Sequence, residues 1–160
     1  MTTFVGVDAS VALKWVLNAP VEANVEQAQA LLHDTLIQRG VFIVPPHFFA
    51  EITNVLYHRI QTNRPEHRLT RGEAEEALAT LRRLPIEPAQ PPDLYERALD
   101  LAQQHKLAGA YDALYLAAAE AAGCDLWTDD QRLLKALDGA LPYVKWVHDY
   151  DNDPERTRQV

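Results

Sequence analysis

Leu107-Ala108-Gly109-Ala110-Tyr111-Asp112-Ala113-Leu114-Tyr115-Leu116-Ala117-Ala118-Ala119 decides how the chain is read. A helix opening here is apolar on every side, and such a helix is buried. Asp112 nevertheless sits inside it. A carboxylate in such a place is costly unless it is paired, hydrogen-bonded or bound to a metal. Its partners must come from elsewhere in the chain, and the candidates are other carboxylates with a divalent cation between them.

The elements on either side say where those carboxylates lie. Phe4-Val5-Gly6-Val7 is a short apolar strand followed at once by Asp8. Ser10 to Leu17 reads as a short helix, with Asp8 or Ser10 near its cap and Pro20 ending it. Glu22 to Arg39 forms a longer helix, for which Gly40 is a natural stop. Val41-Phe42-Ile43-Val44 is the second strand, and Pro46 suits the first turn of the next helix. Phe48, Phe49, Ile52, Val55, Leu56 and Ile60 make the apolar stripe of that helix. Glu51 falls on the shoulder of the stripe, with His47, Asn54 and His58 close to its column.

Residues 61–69 read as a loop. Thr70-Arg71-Gly72-Glu73 fits a capping box that opens a helix to Arg83. Ile86-Glu87-Pro88 is a short strand, and Pro91-Pro92 opens a helix running to Lys106. Beyond the opening stretch, Gly123 stops the helix and Asp125-Leu126-Trp127-Thr128 forms another strand. Asp129-Asp130 and a helix through Leu137 come next, then a last strand, Tyr143 to Val147. Residues 149–160 read as a polar, frayed tail, which leaves one domain over 1–148.

Strands alternating with helices predict an α/β fold: a parallel sheet of four or five strands with helices on both faces. Ligands of such sheets bind beyond the C-terminal ends of the strands. Asp8 follows the first strand, Glu51 lies in the helix after the second, and Asp130 follows a later one. Asp112 opens a helix expected to begin at the same edge. Four acids far apart in sequence thus have a topological reason to share one cleft. Converging carboxylates repel one another, so at least one pKa is expected to rise unless cations sit between them. Oxygen-only ligation suits magnesium or manganese rather than zinc, and a magnesium-activated water can attack a phosphodiester.

The totals are compatible with this. The chain has 160 residues, 48% of them hydrophobic, which fits a globular domain with a real core. No apolar run is long enough for a membrane span, and Met1-Thr2-Thr3-Phe4 lacks the features of a signal peptide. A single cysteine, Cys124, fits a reducing cytoplasm. The net charge of −8 argues against broad, sequence-blind nucleic-acid binding but not against a nuclease. Arg59, Arg64, Arg68 and Arg71 oppose only Glu66 between His58 and Gly72, and they form either a patch for RNA phosphates or a solvated loop.

Four segments in order carry a family resemblance: Val7-Asp8-Ala9-Ser10, Glu51-Ile52-Thr53-Asn54-Val55-Leu56, Tyr111-Asp112-Ala113-Leu114-Tyr115-Leu116-Ala117 and Thr128-Asp129-Asp130. With them the chain resembles the PIN-domain nucleases, and within those the VapC-type toxins of bacterial toxin–antitoxin systems. The resemblance implies a three-layer α/β/α fold and an acidic site of Asp8, Glu51, Asp112 and Asp130 binding Mg2+, with Mn2+ as substitute. It makes Ser10, Thr128 and Asn54 supporting residues. The family's last motif selects Asp130 over Asp129, whose own acidity leaves its contribution open. The implied activity is endoribonucleolytic, leaving a 5′-phosphate and a 3′-hydroxyl. The implied partners are a small VapB-type antitoxin and a second copy in a homodimer, with apolar surface around Trp15, Val16 and Leu36 available to either.

Read singly, the acids have blander explanations. Asp8 and Asp130 are equally helix caps, Glu51 a solvated flank, and Asp112 half of a buried ion pair. A phosphatase of the haloacid dehalogenase class needs a second Asp where Ser10 stands. A phosphorylation receiver needs an acidic pair where only Asp8 is present. A non-catalytic PIN-like binding or regulatory domain remains the alternative.

Overall fold

The structure, a computed structural model, describes residues 1–17 and 22–152. Five short strands form one fully parallel sheet: β1 Phe4–Val7, β2 Val41–Val44, β3 Ile86–Pro88, β4 Leu126–Thr128 and β5 Val144–Trp146. Seven α-helices are found among the described residues: α1 Ala9–Val16, α2 Val25–Ile37, α3 Phe48–Gln61, α4 Arg71–Arg83, α5 Leu94–Gln104, α6 Ala110–Ala122 and α7 Gln131–Leu137. The strand order β3-β2-β1-β4-β5 makes the chain grow outward from β1, then return to its other side. The reversal falls between β1 and β4, where a parallel sheet opens a crevice at its C-terminal edge. There Val7 pairs with Trp127, and the Asp8 N–H donates to the Trp127 carbonyl at 3.2 Å.

Alternation along the strands divides the core between two faces. Phe42 faces α1, its ring 4.7 Å from that of Trp15. Gly6 points the other way, toward α6, where an added Cβ would lie 2.8 Å from the Asp125 carbonyl and 3.2 Å from Ala119 Cβ. The alanines of α6 explain that approach. Ala113, Ala117, Ala118 and Ala119 are all buried and let the helix lie close on β1, with α5 packed outside it. The expected three-layer α/β/α arrangement is the one observed.

Several boundaries differ from expectation for local reasons. Helix α2 begins only at Val25, after Asn24 takes a left-handed φ of 62°. At its other end the left-handed residue is Arg39, φ 54°, not Gly40. Gly40 is instead a close-approach position, since a Cβ there would meet Thr35 Cγ2 at 2.9 Å and the Thr3 carbonyl at 3.0 Å. Pro46 lies in the turn before α3 rather than in its first turn, and α5 starts at Leu94 and stops at Gln104. The Thr70–Glu73 capping box is present as read. The helix stop assigned to Pro20 lies outside the described residues.

The frayed tail starts later than expected. Val147–Asn152 forms a 3₁₀ helix against α2. Tyr150 is buried there, edge-on to Trp127, and its hydroxyl donates to Asp34 at 2.9 Å. A hydrophobic anchor outweighs the polarity of its neighbours. Among the described residues no helix is long and apolar enough to cross a membrane.

The Gly6 packing is directly testable. Gly6→Ala forces the Asp125 backbone or α6 to shift, and urea unfolding is expected to show a loss of about 1–3 kcal/mol. Gly72→Ala, at an open position in the first turn of α4, is the control and leaves stability equal or slightly higher.

Candidate active site

Asp8 is the N-cap of α1 and accepts a hydrogen bond from the Val11 N–H at 3.2 Å. The helix-cap reading is therefore correct, and it is only part of the arrangement. Two hydroxyls also donate to the carboxylate, Ser10 to Oδ1 and Thr128 to Oδ2. Each hydroxyl is itself held by the turn after β4. Ser10 Oγ accepts from the Asp129 N–H at 3.0 Å, and Thr128 Oγ1 from the Asp130 N–H at 3.0 Å. Two hydroxyl relays thus lock the end of β1 to the end of β4. Asp8 is only 7% exposed, and burial pushes its pKa up to about 6 against the three donated hydrogen bonds, with the nearby Glu51 charge adding to the rise.

The other three acids sit at equivalent places. Glu51 lies in the first turn of α3, Asp112 in the first turn of α6, and Asp130 is the N-cap of α7. Four helix N-termini with their partial positive charge thus bring carboxylates to one edge of the sheet. The acids feel one another in sequence: Glu51 raises Asp8, and both Asp130 and Glu51 raise Asp112. Repulsion was the expected cause of such shifts. For both Asp8 and Asp112 desolvation comes first and repulsion after it. Asp130 uses Oδ1 to accept from the Arg132 and Leu133 N–H groups at 2.9 and 3.3 Å, leaving Oδ2 outside the cap.

Asp129 has a different environment. Its Oδ1 accepts from Asn24 Nδ2 at 2.8 Å and from Trp146 Nε1 at 2.9 Å, and its Oδ2 lies 3.0 Å from Lys14 Nζ. Lys14 is 7% exposed and also donates to the Ala23 carbonyl at 2.8 Å. The adjacent carboxylates are thus split between an ion pair inside the protein and a helix cap at the acidic edge.

Sequence reading gave little weight to two neighbours of Glu51. The Tyr115 hydroxyl donates to Glu51 Oε2 at 2.9 Å, and burial together with the Glu51 and Asp8 charges pushes the phenol up. His47 is the second of these neighbours. Its ring lies 5.4 Å from that of Tyr111 and 5.2 Å from that of Tyr115, and its Nε2 is 3.3 Å from Glu51 Oε2 without hydrogen-bond alignment. The available signals were the four-residue spacing of His47 and Glu51 and the three-residue spacing of Asp112 and Tyr115 on their helices. Asn54 joins His47, Glu51 and Tyr111 along a groove of about 510 Å3.

The arginines do not join the acidic edge as one patch. Arg59 is tied to Glu22 at 3.0 Å and to His67 Nδ1 at 3.0 Å. Arg71 pairs with Glu75 at 2.8 Å, while Arg64 and Arg68 are exposed. Arg132 is the basic side chain beside the acids, its Nε 3.9 Å from Asp130 Oδ1. Trp15 is core rather than a base-stacking surface: it is 9% exposed and its indole N–H donates to the Ala28 carbonyl at 2.8 Å. Cys124 is part-buried with its thiol pushed up to about 11 by burial, which does not suit a nucleophile.

Carboxylates with one histidine at the rim and no thiolate fit a hard, oxygen-preferring divalent cation. Among the described residues no group of three or more Asp, Glu, His or Cys side chains is closed up as it stands around a metal-sized position. A family model described as PIN domain matches residues 5–139. No curated protein matches the chain.

The buried acid has a stability consequence. The folded protein keeps the Asp8 proton up to about pH 6, whereas an unfolded aspartate loses it near 3.8. Between these values the folded state binds more protons, so stability falls as pH rises. In chelator, wild type is expected to lose roughly 2 kcal/mol relative to Asp8→Asn between about pH 4 and pH 6.5. Parallel stability curves for the two proteins would count against this environment for Asp8.

Proposed function

The chain belongs to the PIN-domain family, whose members are generally nucleases using divalent metal ions, and from that premise we propose that it is a magnesium-dependent endoribonuclease of the VapC toxin type. The observation that carries the reading is the placement of Asp8, Glu51, Asp112 and Asp130 at four helix starts on one sheet edge, electrostatically linked from Asp8 through Glu51 and Asp112 to Asp130. These four would hold Mg2+, with Mn2+ as its substitute. When bound, the ion lowers the pKa of water and offsets charge on the phosphate.

The protein's own residues set the geometry. Ser10 and Thr128 fix both oxygens of Asp8, so its direction does not depend on a flexible side chain. Tyr115 holds one oxygen of Glu51 from the opposite layer. Asp130 holds one oxygen on its helix cap, which leaves the other for the ion. Arg132, anchored by its backbone beside Asp130 and exposed at its side chain, meets the substrate phosphate. Water adds to phosphorus in line, the bond to the 3′ oxygen breaks, and that oxygen takes a proton. The products are a 5′-phosphate and a 3′-hydroxyl.

The toxin reading adds a partner. A VapB-type antitoxin places an Arg or Lys among the four acids and an apolar segment elsewhere. Trp15, Val16, Leu17, Leu69 and Ala77 line a groove of about 430 Å3 between α1 and α4, with Glu73 and Glu76 at its side. This suits an apolar segment that also carries basic residues. Leu36 and Ile37 are exposed on α2, at 41% and 67%, and supply the homodimer contact.

Purified protein is expected to cleave RNA with magnesium and not with chelator, and the product of the neighbouring reading frame is expected to bind it and suppress cleavage. Asp8→Asn and Asp130→Asn each lower the rate by at least about 100-fold while remaining folded. Asp129→Asn acts instead on stability, costing about 3 kcal/mol because it leaves Lys14 short of its nearest partner. Cleavage in chelator, or full activity in Asp8→Asn, defeats the mechanism. Failure of the neighbour to bind defeats only the toxin assignment.

A further inference from the structure

The groove beside Glu51 has walls that the carboxylate chemistry does not use. Its lining is His47, Ala50, Glu51, Asn54 and Tyr111, and its volume of about 510 Å3 lies within the range of small-molecule sites. Tyr111 immediately precedes Asp112 and is 71% exposed, an unusual position for a large ring. It is not a loose side chain, because its other neighbour is the His47 ring at a centroid distance of 5.4 Å and an angle of 46°. His47 is held in turn by Tyr115, edge-on at 5.2 Å. The aromatic surface is thus braced from behind. Neither His47 ring nitrogen makes an aligned hydrogen bond, although Nε2 lies 3.3 Å from Glu51 Oε2, and the faces of the imidazole are taken up by the two tyrosine rings. On α3, one turn after Glu51, the exposed Asn54 brings an amide with both donors and an acceptor to the same groove.

We propose that this groove is a nucleobase subsite, in which an unpaired base next to the scissile phosphate stacks on Tyr111 and is hydrogen-bonded by Asn54. The proposal rests on the nuclease reading and adds a specificity-determining contact: one base flanking the scissile phosphate, read by Tyr111 and Asn54. Three physical features select a base over other occupants. Stacking needs a flat, exposed and braced ring, which Tyr111 supplies. An amide that both donates and accepts matches the edge of a base. Glu51 is common to the groove and the acidic edge, so an occupant enters within one nucleotide of the reacting phosphate. A duplex cannot present a splayed base in this way, so paired RNA is excluded.

The test uses the full chain with Asp8→Asn, which binds without cutting, and a short single-stranded oligoribonucleotide carrying 2-aminopurine at successive positions. Stacking quenches that base. Quenching is expected at one position, is lost in Asp8→Asn/Tyr111→Ala and is kept in Asp8→Asn/Tyr111→Phe. With the active protein and magnesium, Tyr111→Ala raises KM about tenfold with kcat less affected. Removing the base at the same position costs wild type a similar factor and costs Tyr111→Ala clearly less, since only the Asn54 contact is left to lose. Quenching independent of Tyr111, or equal sensitivity of Tyr111→Ala and wild type to base removal, overturns the subsite. A groove that takes a peptide gives the same negative result, with no quenching by RNA. Tyrosine-dependent quenching in a protein whose wild type cuts no RNA overturns the nuclease reading and leaves the subsite standing.

Discussion

A buried carboxylate held between two hydroxyls connects the halves of this protein. Asp8 leaves the central strand, and Thr128 ends the strand beside it, across the reversal in strand order. Ser10 and Thr128 each donate to Asp8 and accept from the backbone of the next turn, so no member of the relay is left unsatisfied. Such a network is favourable only when complete. Its completeness is why an acid that is almost wholly out of water can sit at the C-terminal edge of β1 and still present a fixed direction.

The same logic extends outward. Lys14, buried in the protein, has Asp129 as its nearer carboxylate at 3.0 Å and Glu22 at 3.7 Å, and Asp129 is held by Lys14, Asn24 and Trp146. This pair fixes the turn from which the Ser10 and Thr128 relays take their N–H groups. Two acids adjacent in sequence therefore have separate duties. One stabilises the turn from inside, and the other caps α7 at its surface. On the opposite layer the Tyr115 hydroxyl bridges α6 to α3 through Glu51.

Much of this was legible in the residues. The strands are apolar runs, each acid follows a strand or opens a helix, and strand–helix alternation permits few architectures. Asp8, Glu51, Asp112 and Asp130 could therefore be assigned to one edge before any coordinates. What was not legible depends on contacts between distant positions. Nothing near Asp129 announces Lys14 or Trp146, and nothing near Glu51 announces Tyr115. His47 was visible at helical spacing from Glu51, but the two tyrosines that hold its ring come from α6. Tyr150 was hidden in a polar stretch because a single aromatic side chain decides whether that segment folds onto α2. The left-handed residue is Arg39, while Gly40 is required by the close approach of Thr3 and Thr35, a restraint that no local preference encodes.

The span of the hydroxyl relay also has a consequence for synthesis. Asp8 belongs to the first strand made, and Thr128 to the fourth. A chain growing from its N-terminus has the acid long before it has the hydroxyl and the backbone donors that hold it. Contacts of such long separation form late in folding, since the intervening loop must close before they yield anything. The acidic edge is therefore incomplete on the ribosome through most of translation. The hydroxyl relay, and with it the fixed direction of Asp8, is complete only once nearly the whole domain has emerged.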